Sequence, residues 1–276
     1  MNPSCVNIRV KVRKCQQLTI FVMMKVIFLG TGTSQGVPVI ACDCNSCTSP
    51  DKRDKRLRSS VYVEVKDTAF VIDTGPDFRQ QMLRENIKKL DAVLLTHEHK
   101  DHIGGLDDVR AFNFRQNRAM DVYAGATVQN AIKREFNYAF SREKYPGVPQ
   151  IIQHVIRNKP FLINDINIIP VEASHYFLKV FGFRINNFAY LTDVSDISIK
   201  EKKKLYDLDV LVINALRIKI HYSHFNTEQA LNLIKEVSPK KAYFTHISHM
   251  MGRQADMEAL LPENVKFAYD GLQLEL

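Results

Sequence analysis

Between residues 92 and 105 the chain leaves few options for what it can fold into. An apolar, strand-like run (Ala92-Val93-Leu94-Leu95-Thr96) leads straight into His97-Glu98-His99-Lys100-Asp101-His102, with Gly104-Gly105 close behind. Residues two apart on an extended chain face the same side, so His97 and His99 can grip one metal ion together. Asp101 and His102 fall where the chain must turn and can face a second ion a few ångströms away. Three imidazoles and a carboxylate within six positions after a buried strand form the layout of a two-metal hydrolytic site. The bland alternative, a polar turn with incidental histidines, explains that density poorly.

The pattern H-x-H-x-D-H resembles the metallo-β-lactamase superfamily. That resemblance implies an α/β fold, the four-layer αββα sandwich, and asks for further ligands at later strand ends. His175 follows the apolar run Ile166–Val171, Asp193 follows Phe188–Thr192, and His246 follows Ala242–Thr245. One such residue is usually just polar loop, but three in this order fit the resemblance. It assigns His97, His99 and His175 to one metal ion, Asp101, His102 and His246 to the other, and Asp193 to both as a bridging carboxylate.

With 276 residues, 45% hydrophobic and 25% charged, the chain can bury the core of one α/β domain. No apolar stretch approaches the ~20 residues of a membrane-spanning helix, so no membrane partner is expected. Strand-like runs at 25–29, 60–66, 69–73, 91–95, 120–123, 151–156, 166–171, 180–185, 188–192, 209–214, 241–245 and 272–275 alternate with helix-like ones. The latter fall at 77–86, 104–116, 127–136, 198–205, 227–237 and 253–261. Asn186-Asn187 reads as a hairpin turn and Asn226 with Gln229 as a helix-capping pair. Phe136, Tyr138 and Phe140 read as core rather than as a substrate cover.

The net charge of +8 is concentrated in two places. Arg9, Lys11, Arg13 and Lys14 carry half of it, with no acid in residues 1–23, and the run Asp51–Arg58 carries three more. Such runs are usually solvated loops, although a basic surface also steers anionic substrates. Residues 1–23 lack the apolar core and cleavage site of a signal peptide. They read as a basic extension, either a leader translated from a misassigned start or a short mobile tail, before a hydrolase domain over 24–276.

Cys42-Asp43-Cys44-Asn45-Ser46-Cys47 places three thiols in six residues. A structural zinc takes four N or S ligands, and His249, three residues beyond His246, can supply the fourth. The alternatives are free thiols or a disulfide. Three cysteines leave one unpaired, close neighbours bridge poorly, and a chain without an export signal is expected in a reducing cytoplasm. Structural zinc on Cys42, Cys44, Cys47 and His249 is therefore the expectation. Cys5 and Cys15 lie in the extension and carry no signal.

Leu29-Gly30-Thr31-Gly32-Thr33-Ser34-Gln35-Gly36-Val37-Pro38, the C-x-C-x-x-C triplet, Ile72-Asp73-Thr74-Gly75-Pro76-Asp77-Phe78-Arg79-Gln80-Gln81 and Thr245-His246-Ile247-Ser248-His249 together resemble the PhnP-type phosphodiesterases, cyclic-phosphate hydrolases of phosphonate degradation. The likeness spans nearly all of 24–276, and the triplet with the T-H-x-x-H ending is its most specific part. It implies a di-metal phosphodiesterase using Mn or Zn, with one structural Zn, that attacks small cyclic phosphodiesters (a ribosyl cyclic phosphate or a cyclic nucleotide) with metal-activated water. It also implies a histidine near the phosphate, upstream of the last ligand. By position this is His224, just before a capped helix N-terminus that favours anions, where it can protonate the leaving oxygen. Asp193 is catalytic as the bridge, and Asp73 is expected to orient a ligand imidazole. Gly30-x-Gly32-x-x-x-Gly36 misses the dinucleotide-binding spacing and reads as a tight turn under the site. His154 and His221 read as structural.

Three other readings compete. An RNA-processing nuclease of the same superfamily shares the G-T-x-x-G-x-P opening, and salt-sensitive binding to structured RNA would favour it. A cofactor-biosynthesis accessory protein of the pyrroloquinoline type shares the cysteine motif and would bind metal without turnover. A thioester or lactam hydrolase is the third. The expected partner is a small anionic phosphodiester, with RNA less favoured and room for a homodimer.

Overall fold

The computed structural model describes residues 23–143 and 145–276. The expected basic extension, Met23 apart, and its Cys5 and Cys15 lie outside the described residues. Two seven-stranded sheets lie at the centre. The first runs β14 (Gln273–Glu275), β1 (Met24–Gly30), β2 (Ser60–Val65), β3 (Thr68–Ile72), β4 (Ala92–Leu94), β5 (Met120–Ala124) and β6 (Ile151–Val155). The second runs β13 (Val265–Phe267), β12 (Lys241–Thr245), β11 (Val210–Asn214), β10 (Phe188–Leu191), β9 (Leu178–Ile185), β8 (Ile166–His175) and β7 (Phe161–Ile163). The helices are α1 (Phe78–Arg84), α2 (Lys100–Ile103), α3 (Arg110–Gln116), α4 (Ala126–Glu135), α5 (Asn137–Phe140), α6 (Ile199–Lys202), α7 (Thr227–Val237) and α8 (Gln254–Glu258).

Side-chain alternation builds the layers. Val26 and Phe28 of β1 and Val61 and Val63 of β2 point into the apolar layer between the sheets, where they meet Val210 and Val212 of β11. Their neighbours Ile27, Leu29 and Tyr62 point the other way, onto Phe78 and Met82 of α1 and Val128 and Ile132 of α4. Leu211 and Ile213 of β11 likewise turn outward onto Leu233 and Ile234 of α7. The central strands are thus buried on both faces and read as continuous apolar runs. This is the expected αββα sandwich. Phe136 joins the core, with Tyr138 and Phe140 packed against it, as read from the sequence.

Strands β3, β4 and β5 run parallel, as do β10, β11 and β12. Their C-terminal ends lead into the candidate site, as in other parallel α/β sheets. The Asn186-Asn187 turn joins β9 to β10, and Asn226 and Gln229 make the reciprocal cap of α7. One expectation is corrected. The helix read over 104–116 is interrupted at Gly104-Gly105 and continues as a 3₁₀ turn (Leu106–Val109) and α3, while α2 begins earlier, at Lys100. Asp101 and His102 therefore sit in a helical turn that starts just after His99 rather than in a loop. The three-residue strands β7 and β13 and the single-turn α5 were not expected from the sequence.

The glycine-rich loop after β1 packs where a side chain would not fit: a Cβ on Gly32 would stand 2.9 Å from the Arg56 carbonyl. Gly32 also bridges Ile247, the neighbour of His246, so the loop braces the strand end that carries that histidine. Beside it, the buried Arg56 guanidinium donates to Thr31 Oγ1, the Ala268 carbonyl and Gln254 Oε1, and Asp270 accepts from Thr31 and from the Leu57 N–H. This network ties the segments after β1 and before β2 to the connection between β13 and β14.

Candidate active site

Seven side chains converge, four from the segment that follows β4 and one each from the ends of β8, β10 and β12. His97, His99 and His175 each offer one nitrogen, all within 4.8 Å of one another, and so do Asp101, His102, Asp193 and His246 with one ligand atom each. Asp73, Asp193 and His246 follow β3, β10 and β12, and all three hold left-handed backbone angles (φ +66°, +57° and +53°). Non-glycine residues hold such angles where the surroundings over-determine them, as at functional sites, and Asp and His tolerate them better than most side chains.

The hydrogen bonds fix which ring nitrogen faces inward. His175 Nδ1 donates to the Ser223 carbonyl at 2.7 Å, leaving Nε2 toward the cluster. Thr96 Oγ1 donates to Asp73 Oδ2 at 2.9 Å and accepts from His97 Nδ1 at 3.0 Å, which leaves His97 Nε2 facing His99 Nδ1 at 3.0 Å. Asp73 Oδ2 is 2.7 Å from His102 Nδ1. His102 Nε2 is then fully buried without a hydrogen-bond partner, 3.1 Å from Asp101 Oδ2 and 3.2 Å from Asp193 Oδ2. Two carboxylate oxygens and a ring nitrogen converging out of reach of water need positive charge among them, as a proton on the ring or as the divalent cation that replaces it.

Electrostatics agree. Burial holds His97 and His175 below the ordinary histidine range and His246 down to about 3, so these rings stay neutral, as metal ligands must. Burial alone would also lower His102, but the Asp101, Asp193 and Asp73 carboxylates outweigh it and hold it well above its ordinary value. Burial would raise Asp193, yet the imidazole rings packed around it, with hydrogen bonds from His102 and His224, hold it well below the ordinary carboxylate range. The donor set therefore fits divalent cations.

His224 lies at the same centre. Its Nε2 is 2.9 Å from Asp193 Oδ1 and its Nδ1 is 2.9 Å from Ser223 Oγ. The ring is aimed by a carboxylate that the His175 Nε2 also faces, at 4.0 Å. His154 lies elsewhere, bound to Asp121 and stacked on Tyr123. Thr96, Ser223 and Ser59 (3.2 Å from His246 Nδ1) give no signal in the sequence, where a hydroxyl beside a histidine carries no pattern.

The cysteines form a second cluster. His249 Nδ1 lies 3.2, 3.4 and 3.6 Å from the Sγ atoms of Cys42, Cys44 and Cys47. A sulfur at ~2.3 Å and a nitrogen at ~2.0 Å from one tetrahedral zinc stand ~3.5 Å apart, so the spacing fits that ion. The Cys47 backbone N–H draws the Cys44 thiol down to about 6, and burial pushes Cys47 up to about 11.

Comparisons place the chain among known proteins. Residues 68–247 match the family model for the beta-lactamase superfamily domain. A crystal structure described as a new diphosphatase from the PhnP family superposes with a TM-score of 0.87 and 38% identity, over 92% of this chain and 97% of that one. An octanoyltransferase of Porphyromonas gingivalis is 39% identical over 91% of this chain, which spans only 51% of that relative's length. Ribonuclease Z of Listeria innocua is 25% identical, over 90% of this chain and 97% of its own. Fold and clustered side chains are those of a metal-dependent hydrolase, and the chain belongs to the beta-lactamase superfamily and, within it, to the PhnP family.

Proposed function

We propose that the chain is a di-metal phosphodiesterase acting on small cyclic phosphodiesters, with 24–276 as its catalytic domain. His97, His99 and His175 hold one ion, Asp101, His102 and His246 the other, and Asp193 serves both. The observation that carries this reading is the position of Asp193: Oδ2 lies 3.2 Å from both His102 and His246, while Oδ1 faces His175 and His224. Two divalent cations held there, Mn or Zn, would activate a water at neutral pH and offset charge gathering on the phosphoryl oxygens.

The protein's own residues do the rest. Asp73 and Thr96 fix the tautomers of His102 and His97, and the Ser223 carbonyl fixes that of His175. In its doubly protonated form His224 directs the Nε2 proton at Asp193 Oδ1 and can pass it to the departing oxygen, which leaves a neutral imidazole whose Nδ1 stays against Ser223 Oγ. Cys42, Cys44, Cys47 and His249 hold a separate structural zinc, which suits a reducing compartment. No helix among the described residues is long and apolar enough to cross a membrane.

The likeness to ribonuclease Z supports a second reading, RNA cleavage by the same centre, and the relative described as a diphosphatase adds the phosphoanhydride as a bond to test. A turnover screen with Mn²⁺ and Zn²⁺ decides. Its substrates are cyclic phosphates, linear phosphodiesters, a diphosphate, structured RNA, a thioester and a β-lactam. Cyclic phosphates should turn over fastest, and Asp193→Ala should lower activity and metal content together. Failure to hydrolyse any phosphodiester with any divalent ion overturns the reading.

A further inference from the structure

Four two-residue hairpins are present among the described residues, and three have polar turns. Lys66-Asp67 joins β2 to β3, Asn164-Asp165 joins β7 to β8, and Asn186-Asn187 joins β9 to β10. In each the first turn residue is left-handed, at φ +52°, +51° and +50°. The fourth joins β8 to β9 directly after His175, and its turn is Tyr176-Phe177, with Tyr176 at φ +56°. A bulky ring at a left-handed turn position is an outlier, where Asn, Asp or Gly would be the relaxed choice. The chain thus places its least suitable turn residues beside its metal-ligand cluster.

Neither ring is there to fill a core. Tyr176 is 52% exposed, Phe177 84%, and Tyr222, from the loop that carries His224, 72%. The three rings still meet: centroids lie 3.7 Å apart for Tyr176 and Phe177, and 5.1 Å apart, edge to face, for Tyr176 and Tyr222. Tyr222 stacks on His221 at 4.5 Å, and His221 lies 5.2 Å from His224. A continuous row of rings therefore runs outward from the reaction centre. The supporting loop is pinned by the Arg217 guanidinium, which donates to the Lys219 and Ile220 carbonyls. Rigid exposed aromatics on a fixed loop beside a phosphoryl-binding centre are suited to stacking on a flat ring.

We propose that Tyr176, Phe177 and Tyr222 form an aromatic shelf that stacks on a heteroaromatic ring of the substrate, so that the site prefers a nucleoside-type phosphoester to a bare sugar phosphate. This rests on the phosphodiesterase reading and narrows its substrate class. A phosphoryl group at the metal cluster would leave a base free to reach the shelf.

The test compares adenosine 5′-monophosphate with ribose 5-phosphate, which lacks the base, by calorimetric titration of the metal-loaded full chain. The nucleotide should bind roughly 5- to 150-fold more tightly, the range of stacking one base on aromatic side chains. Phe177→Ala with Tyr222→Ala, both at exposed positions, should bring the two affinities together. Tyr176→Asn should also reduce the preference while holding or raising the melting temperature, because Asn suits the turn. KM for a cyclic nucleotide should rise in the same variants, relative to a ribosyl cyclic phosphate. Equal affinity for the two ligands in the unaltered protein, or a preference that survives in the double variant, overturns the proposal. Base-dependent binding without any phosphodiester turnover would leave the shelf standing and sink the phosphodiesterase reading instead.

Discussion

Asp73 and His102 meet out of all contact with solvent, Oδ2 to Nδ1 at 2.7 Å, although one ends a strand and the other lies in a helical turn. The carboxylate keeps the Nδ1 proton and leaves Nε2 facing Asp101 and Asp193, where a cation could be held. Asp73→Asn retains the shape and removes the charge. Metal affinity at that position should fall ~10- to 100-fold, the usual effect of losing such a partner. A competitive chelator titration measures it, and unchanged affinity would contradict the assigned tautomer.

For His224, the leaving group is the discriminating variable. His224→Ala should cost roughly 10²–10⁴ in kcat on substrates that expel an alkoxide. The loss should shrink for bis-p-nitrophenyl phosphate, whose phenolate departs without a proton. Metal content should be unchanged. An equal loss on both substrate types would point to phosphate binding, and a variant stripped of metal would make His224 a ligand beside His175 and Asp193.

Cys44→Ser should remove about one zinc per chain, lower the melting temperature and leave the seven-residue cluster able to bind metal. Acidity adds a second readout. With Cys44 at about 6 and Cys47 at about 11, the first is mostly thiolate at pH 7 and the second is still a thiol. Zinc binding must therefore expel the Cys47 proton, and affinity should climb about tenfold per pH unit from that group alone between pH 7 and 9. Calorimetry in buffers of different ionisation enthalpy counts the proton. No release would rule Cys47 out as a ligand.

Asp270 gives the fold its own pH dependence. Burial pushes its pKa up to about 6, above the ~3.9 of an unfolded chain, so folding favours the neutral carboxyl. The resulting stabilisation is complete below pH ~4 and is lost as pH rises through 6, about 3 kcal/mol at most. Asp270→Asn stays neutral throughout. Its stability relative to the unaltered protein should therefore rise between pH 4 and pH 7 in urea unfolding, where acid release of metal is common to both. Parallel profiles would contradict this.

Strand ends were the legible part of this chain. The apolar runs before His97, His175, Asp193 and His246 are long enough for their β character to register, and a ligand-type residue after each is visible without coordinates. Phe161–Ile163 and Val265–Phe267 were missed because three residues give no period to detect. The helical turn holding Asp101 and His102 was missed because Gly104-Gly105 looked like its start rather than its end. Thr96, Ser59 and the Ser223 carbonyl orient rings through backbone positions and hydroxyls that resemble any others until folding brings them within 3.2 Å of an imidazole.

The left-handed residues at 73, 176, 193 and 246 also bear on how this protein responds to selection. Gly would relax each of these positions, and Asn those at 176 and 246, so a library screened for heat resistance alone should enrich them there. Such a screen would discard the carboxylates, the imidazole and the exposed tyrosine together, and its most heat-resistant winners would be its least active ones.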